Sequence, residues 1–260
     1  QGDAAAKREE IRQYFHATFS LDEQLYETLA SESAFYLRPE PLRHPLIFYL
    51  GHTAAFYINK LIVARFANQR INPRFESMFA IGVDEMSWDD LDAAHYDWPT
   101  LAEVQSYRDT VRAVVDETIR TMPLAMPIHW DNPFWVILMG IEHQRIHLET
   151  SSVIIRRLPV EQVRQLPLWA ICPLTGEAPA NELAPVAGGR VILGKSRDHA
   201  LYGWDNEFGR QENDVWDFAA SRYLVSNREY LDFVEDRGYE QEQYWTPEGW
   251  KWAEFSNARH

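Results

Sequence analysis

The sequence of 260 residues predicts two regions of different fold class, a four-helix bundle over residues 1–160 and an α+β region over residues 188–260. Three observations support this division. Four long segments before residue 160 carry apolar side chains at helical spacing. Prolines then recur through residues 161–187, which is typical of a linker that lies on a surface. After the linker, short apolar runs alternate with turn residues, as they do where strands and helices mix.

The first predicted helix runs from about Ala4 to Ala30, with Ile11, Phe15 and Phe19 among its apolar positions. Within this segment, the stretch Ser20–Glu23 has the form of a helix cap. We therefore allow for a break that divides the segment into two shorter helices.

The other three predicted helices have clearer ends. The second follows Pro45 and runs from Leu46 to about Ala67. The third starts at Thr100, which forms a capping-box pattern with Glu103, and continues to Met122. The fourth starts near Asp131, with a proline in its first turn, and ends at Leu158 before another proline. The long gap between the second and third helices is predicted to cover one end of the bundle.

The α+β region contains two short strand candidates, Arg190–Leu193 and Tyr223–Ser226. The segment Asn227–Arg237 is predicted to form an amphipathic helix closed by Gly238. Roughly 70 residues is short for an α+β domain of this kind, so we expect this region to be the N-terminal part of a larger domain.

The formal net charge of −14 and the pI of about 5.1 argue against two classes of partner, nucleic acid and anionic membrane surfaces. We expect no membrane-spanning segment, because charges interrupt the apolar runs. The single cysteine, Cys172, excludes an internal disulfide and favours a reducing cytoplasm. Its neighbours supply no base or cation, so we expect an unreactive thiol.

Three histidines are candidates for metal ligands. His143 and His147 are four residues apart in the fourth predicted helix, which puts both imidazoles on one face of it. His52 lies within the apolar second helix, and two helices of a bundle can complete a three-histidine site in its interior. Spacing alone leaves plainer interpretations open. His143 and His147 have polar neighbours typical of an exposed face, and His52 could be a buried histidine with ordinary hydrogen bonds.

Three neutral imidazoles leave open coordination positions on a divalent ion. Zinc uses this arrangement to acidify water, and iron(II) uses it to bind external ligands side by side. The residues by themselves do not choose between zinc and iron.

Four blocks of sequence are similar to the 5-histidylcysteine sulfoxide synthases of ovothiol biosynthesis. They cover residues 43–54, 71–76, 82–90 and 139–152. In the later region, residues 202–207 and 223–227 resemble the start of a formylglycine-generating-enzyme-like domain, and so do several later residues that include Trp245 and Trp250. The resemblance implies a DinB-like four-helix bundle followed by the start of that C-type-lectin-like α+β domain.

The resemblance also implies a reaction. The iron ligands of the family match His52, His143 and His147, and the cofactor would be Fe(2+). The substrates would be L-cysteine, L-histidine and O2, with the thiol sulfur joined to C5 of the imidazole as a sulfoxide. The tyrosine of the family's active site matches no residue before His260, so catalytic and substrate-binding residues stay unassigned. Many members also carry a C-terminal methyltransferase domain.

One departure bears on the substrate. Ergothioneine-branch sulfoxide synthases that use γ-glutamylcysteine carry an arginine pair, whereas the segment here that is equivalent, Gly82–Asp90, is acidic and has no arginine. We therefore expect a small thiol such as cysteine. The acidic residues of Gly82–Asp90 are otherwise typical of a solvated loop.

Competing interpretations are an ergothioneine-branch sulfoxide synthase, a zinc-dependent DinB-like thiol transferase and a non-catalytic bundle. Two further groups of residues have plain structural explanations. Asp205, Asn206 and Glu207 favour turns, and Trp245, Trp250 and Trp252 are typical of aromatic packing.

Overall fold

The structure is a computed structural model that describes residues 2–80 and 97–259. It divides into two compact units, of which the first comprises Gln1–Ala170 with Lys195–Phe208. The second comprises Ile171–Gly194 with Gly209–His260. The predicted domain boundaries at residues 160 and 188 stay predictions.

Four long helices form the bundle of the first unit. They are α1 (Ala4–Tyr26), α2 (Leu46–Val63), α4 (Leu101–Thr121) and α5 (Pro133–Ile155), and a short α3 (Pro73–Met78) lies between α2 and α4. The four predicted helical segments are thus present, each with slightly different ends.

The helices α1 and α5 run in the same direction, and α2 and α4 run in the opposite one. A parallel pair cannot be joined by a tight turn, which explains why a long connection separates α2 from α4. Pairs of contacts along the helices give these directions. From α1 to α5, Tyr14 contacts Glu142 and Tyr26 contacts Ser151, so residue numbers rise together. They run in opposite directions from α1 to α2, where Phe15 contacts Tyr57 and Asp22 contacts Thr53, and from α1 to α4, where Arg12 contacts Asp116 and Glu23 contacts Arg112.

The helix α2 is the central helix of the bundle, since thirteen of its eighteen residues are buried. By length and composition it is also the one helix among the described residues that could cross a membrane, but 72% of it is buried inside the protein. It approaches α5 closely at Gly140, where an added Cβ would lie 2.2 Å from the Tyr57 ring. The absence of a side chain at Gly140 therefore sets the spacing of α2 and α5.

The predicted break in the first helix is wrong, because α1 continues through Ser20–Glu23. Asp22 does not cap a helix there. It is fully buried, and its carboxylate accepts hydrogen bonds from side chains of the other helices. The actual N-terminal cap is Asp3, whose side chain accepts from the Ala5 amide.

The capping signals at the other helix ends were largely predictable. Thr100 and Glu103 form the reciprocal capping box of α4, which confirms that prediction. Asn132 caps α5 immediately before Pro133. The helix α2 ends at Val63, earlier than the predicted Ala67, because Arg65 adopts a left-handed φ of 63° that ends a right-handed helix.

The second unit contains two antiparallel strand pairs and two helices. The strands β1 (Leu183–Val186) and β4 (Phe218–Ser221) pair with each other, as do β2 (Gly189–Leu193) and β3 (Gln211–Val215). The helices are α6 (Asn227–Glu235) and α7 (Pro247–Phe255). The strand predicted at Arg190–Leu193 is confirmed as part of β2, and β1 occupies the last residues of the predicted linker.

The strand predicted at Tyr223–Ser226 is wrong. Tyr223 exchanges two backbone hydrogen bonds with the side chain of Asn181 instead of joining a sheet, and Ser226 is the N-terminal cap of α6. The predicted helix after it is confirmed as α6.

The role predicted for Gly238 is also wrong. The left-handed residue that follows α6 is Arg237, with φ 58°. Gly238 instead admits the ring of Phe233, which would lie 2.1 Å from an added Cβ. The indole of Trp245 donates to the Gly238 carbonyl at 2.9 Å and its ring packs near Phe233, so this tryptophan serves packing as predicted.

Candidate metal centre

Three histidines meet in the interior of the bundle. His52 extends from α2, and His143 and His147 extend from one face of α5. Their exposed fractions are 5%, 8% and 7%. The interpretation of His143 and His147 as an exposed helix face is therefore wrong, because that face of α5 packs against α2.

The three imidazoles turn the same nitrogen towards one another. Nε2 of His143 lies 3.1 Å from Nε2 of His52 and 3.1 Å from Nε2 of His147. Nitrogens about 3.1 Å apart can lie at the usual metal–nitrogen distance of about 2.1 Å from one common ion. Three imidazoles would leave other positions on such an ion for external ligands.

A backbone carbonyl fixes the tautomer of His52. Its Nδ1 lies 2.5 Å from the carbonyl oxygen of Phe79, and because a carbonyl can only accept, Nδ1 carries the proton. Nε2 is then the nitrogen that carries the lone pair and faces the other two histidines, in the arrangement common to ligating histidines. Gly51 makes this contact possible, since an added Cβ would lie 2.3 Å from the Phe79 ring.

Aromatic rings of α2 hold two of the three imidazole rings in place. The Phe48 ring stacks on His52 with an interplanar angle of 15°, and the Phe56 ring stacks on His143 at 9° with centroids 3.6 Å apart. The ring of Tyr49 lies 5.7 Å from that of His147 at a more tilted angle. These contacts restrict ring rotation and place apolar surface around the nitrogens.

Burial keeps the imidazoles of His143 and His147 neutral. It lowers the pKa of His143 well below its ordinary value, and the charge of a protonated His52 or His147 would lower it further. Burial likewise lowers the pKa of His147 to about 3, with a smaller effect from His52. Near pH 7 both rings therefore offer a lone pair rather than a proton, as metal binding requires.

The donor set fits a divalent transition metal. The group of His52, His143 and His147 brings one nitrogen from each residue within 4.8 Å of the others, and within the described ranges no other group of histidine, cysteine or acidic side chains does so. Nδ1 of His143 and of His147 is buried and has no hydrogen-bond partner in the described part of the chain, so neither ring is an ordinary buried histidine with both nitrogens satisfied. Three imidazoles suit zinc and iron(II) alike. Occupancy of the site by metal stays a prediction.

Of the other residues singled out in the sequence, those that the structure describes are not members of this cluster. Asp205–Glu207 forms a single exposed turn in which Glu207 accepts from the Trp204 amide at 2.7 Å, so these residues stabilise a turn. Cys172 is an exposed free thiol of the second unit. The acidic segment Gly82–Asp90, including Asp84, Glu85 and Asp89, lies outside the described residues.

Sequence reasoning missed two residues near the site. The Phe79 carbonyl is a backbone group, which no side-chain pattern reveals. Arg108 is 1% exposed and contacts Asp22, yet a signal for it existed, because it occupies the same helix face as Val104 and Val111. A charged residue on the apolar face of a predicted helix indicates a buried partner of opposite charge.

Comparisons with known proteins agree with the helical part of this description. Residues 9–151 match the profile of the DinB superfamily. Hercynine oxygenase of Mycolicibacterium smegmatis is 30% identical over 216 residues, covering 81% of this chain and 47% of that protein. Ergothioneine biosynthesis protein 1 of Schizosaccharomyces pombe is 24% identical over 245 residues, covering 81% of this chain and 30% of that protein. The protein of the same name from Neurospora crassa is 24% identical, with 78% and 25% covered. The chain thus spans about half or less of the length of these relatives.

Proposed function

The chain belongs to the DinB superfamily, and we propose that it is the metal-binding part of a nonheme iron(II) enzyme that uses O2 to form a carbon–sulfur bond. The observation that carries the proposal is the convergence of three imidazole nitrogens from two helices. The names of the relatives, an oxygenase and two ergothioneine biosynthesis proteins, support oxidative chemistry with sulfur-containing products.

The side chains have three tasks in this proposal. His52, His143 and His147 would hold the ion as neutral ligands, and they would leave its double positive charge to be offset by an anionic substrate such as a thiolate. The stacked Phe48 and Phe56 rings keep two of the ligands oriented and exclude water from their sides. When bound, iron(II) would supply the redox chemistry that couples a thiol to an imidazole carbon with O2.

We propose L-cysteine and L-histidine as the organic substrates, with the new bond at C5 of the imidazole and the product a sulfoxide of ovothiol biosynthesis. Two features of the sequence support this choice. Residues 43–54 and 139–152 resemble the 5-histidylcysteine sulfoxide synthases, and Gly82–Asp90 contains no arginine to bind the additional carboxylate of γ-glutamylcysteine.

A second candidate is an ergothioneine-branch sulfoxide synthase, which the printed names of the relatives favour. Its substrates would be hercynine and either cysteine or γ-glutamylcysteine. The two candidates differ in the methylation of the histidine amine and in the size of the thiol, so a substrate comparison separates them.

Residues 188–260 would belong to a formylglycine-generating-enzyme-like domain. The resemblance of residues 202–207 and 223–227 supports this, as does the mixture of strands and helices. The family resemblance further suggests a methyltransferase domain or partner. The single cysteine favours a cytoplasmic location.

The test begins with metal content. The purified chain is loaded anaerobically with Fe(II) or Zn(II), and bound metal is counted by elemental analysis beside His52→Ala and the control Gly189→Ala, whose added methyl meets no atom within 4 Å. We expect a single iron per chain in the wild type and control, and none in His52→Ala. Equal metal in all three variants would refute the site.

The second step measures chemistry. The Fe(II)-loaded chain receives O2 with cysteine or γ-glutamylcysteine and with histidine or hercynine in all combinations, and the products are identified by mass spectrometry. We expect the histidine–cysteine sulfoxide to form fastest. Preference for hercynine with γ-glutamylcysteine would select the second candidate, and equal activity with zinc and without O2 would instead support a thiol transferase.

A further inference from the structure

One carboxylate oxygen joins all four long helices of the bundle. Oδ2 of Asp22, on α1, accepts hydrogen bonds from Nη2 of Arg108 at 3.0 Å, Oγ1 of Thr53 at 3.1 Å and Nε2 of Gln144 at 3.0 Å. These donors lie on α4, α2 and α5 respectively. We call Asp22, Arg108, Thr53 and Gln144 the Asp22 network.

The network is buried to a degree that stability alone does not explain. Asp22, Thr53 and Gln144 are fully buried, and Arg108 is 1% exposed. Charges removed from water carry a large desolvation cost, and well-packed apolar side chains of similar volume would often give a bundle at least as stable. Buried polar groups are retained in some proteins because their directional bonds select one register of packed helices.

The network includes the residues that directly follow two metal-ligand candidates. Thr53 directly follows His52 on α2, and Gln144 directly follows His143 on α5. Successive residues of a helix are held at a fixed rotation and rise, so anchoring one of them fixes where its neighbour points. Because Thr53 and Gln144 donate to the same oxygen, they fix the position of α2 relative to α5 beside the histidines.

Two further contacts limit the freedom of this arrangement. Arg108 Nη1 donates to Oγ1 of Thr53 at 2.8 Å and to the Leu50 carbonyl at 2.6 Å, which holds the turn of α2 that contains His52. On the other side, the Tyr57 hydroxyl donates to Oε1 of Gln144 at 3.1 Å, so both ends of that amide are engaged. A shift of α2 along α5 would therefore break several buried hydrogen bonds together.

From these contacts we propose that the Asp22 network is a positioning device that sets the register of α2 against α5 and so brings Nε2 of His52 to Nε2 of His143. This inference rests on the proposed metal site. The residues of the network act through the ligands and do not themselves touch the metal or substrate. Loss of one hydrogen bond in the network should weaken metal binding by more than the accompanying loss of stability accounts for.

Thr53 offers the sharpest test, because Thr53→Val keeps the shape of the side chain and removes its hydroxyl. The variant loses the donor to Asp22 and an acceptor for Arg108. Co(II) is titrated anaerobically into the chain, and its affinity and visible absorption spectrum report the coordination of the ion. We expect Thr53→Val to bind Co(II) at least tenfold more weakly than the wild type and with an altered spectrum, as other groups that orient ligands do.

Two comparisons separate positioning from stability. Thr53→Ser returns the hydroxyl and should restore both the affinity and the spectrum of Co(II). Val115→Ala truncates a fully buried side chain of α4 outside the network, and it should lower the melting temperature while leaving Co(II) binding unchanged. Thr53 is preferable to Asp22 as the primary target, because Asp22→Asn leaves the buried Arg108 charge with only the more distant Glu23 carboxylate, at 3.7 Å, and endangers folding.

The results bear on two claims, the positioning role of the Asp22 network and the existence of the metal site. Wild-type affinity and spectrum in Thr53→Val would overturn the positioning role and leave the metal site intact. The positioning role would also be overturned if Val115→Ala weakened Co(II) binding as much, per degree of lost melting temperature, as Thr53→Val does. Failure of the wild type to bind Co(II) would overturn the metal site and the inference together.

Discussion

Gly140→Ala tests whether the close approach of α2 and α5 holds the three histidines together. The added Cβ would lie 2.2 Å from the nearest carbon of the Tyr57 ring. Non-bonded carbons prefer about 3.5 Å or more, so the ring and α5 must separate by about 1.3 Å. Tyr57 cannot easily turn aside, because it is 1% exposed and its hydroxyl is bonded to Gln144.

The same displacement acts on the histidines of the proposed metal site. Nε2 of His52 and of His143 are 3.1 Å apart, and if α2 moves directly away from α5 by about 1.3 Å, their separation rises to about 4.4 Å. Two nitrogens that bind one ion at about 2.1 Å each can be at most about 4.2 Å apart. We therefore expect metal affinity to fall at least tenfold.

The stability of Gly140→Ala combines two opposing effects. Alanine is favoured over glycine inside a helix by about 1 kcal/mol. Overpacking of a buried contact costs about 1–3 kcal/mol. The net change should be a destabilisation of up to about 2 kcal/mol, measured by urea unfolding followed through the helical circular dichroism signal.

The control is Gly189→Ala, since an added Cβ at Gly189 meets no atom within 4 Å. Co(II) titration and urea unfolding are carried out on both variants and the wild type. Unaltered Co(II) affinity in Gly140→Ala, with normal stability, would show that α2 and α5 can separate without moving the ligands and would refute this reasoning.

Three other perturbations have defined outcomes. His52→Ala should abolish iron binding and oxygen-dependent coupling but preserve helical circular dichroism; coupling at the wild-type rate would remove His52 from the site. Arg108→Met should cost about 3–5 kcal/mol in the free energy of unfolding, because it leaves the buried Asp22 carboxylate without its cation; a loss below about 1 kcal/mol in urea unfolding would contradict the buried ion pair. Burial lowers the pKa of His147 to about 3 in the folded metal-free chain, whereas in the unfolded chain this imidazole takes up a proton below about pH 6.5. Protonation therefore favours the unfolded chain, and His147 should reduce the free energy of unfolding by about 3 kcal/mol at pH 4 and have no effect above pH 7. Urea unfolding across this pH range should show a weaker acid dependence in His147→Leu, and identical profiles would disprove the low pKa.

Local rules account for most of the helices. Apolar spacing and capping residues such as Thr100 predicted four helices whose ends shifted by a few residues, because helical hydrogen bonds join residues close in sequence. The pair His143 and His147 follows from the same periodicity. The strands were harder, and only β2 was recognised, because each strand pairs with a partner far away in sequence.

The site depended on contacts that no local rule contains. Asp22 was interpreted as part of a helix cap, and only the bundle showed that its carboxylate faces three other helices. The tautomer of His52 follows from a carbonyl of Phe79, which the chain brings close from 27 residues away.

The sequence by itself determined which residues could be ligands and which helices carry them, since residue type and helical period are local properties. Tertiary structure alone decided that His143 and His147 are buried and that His52 joins them. Convergence of three nitrogens depends on the register and spacing of packed helices, which Gly140 and the Asp22 network control through contacts between residues distant in the chain.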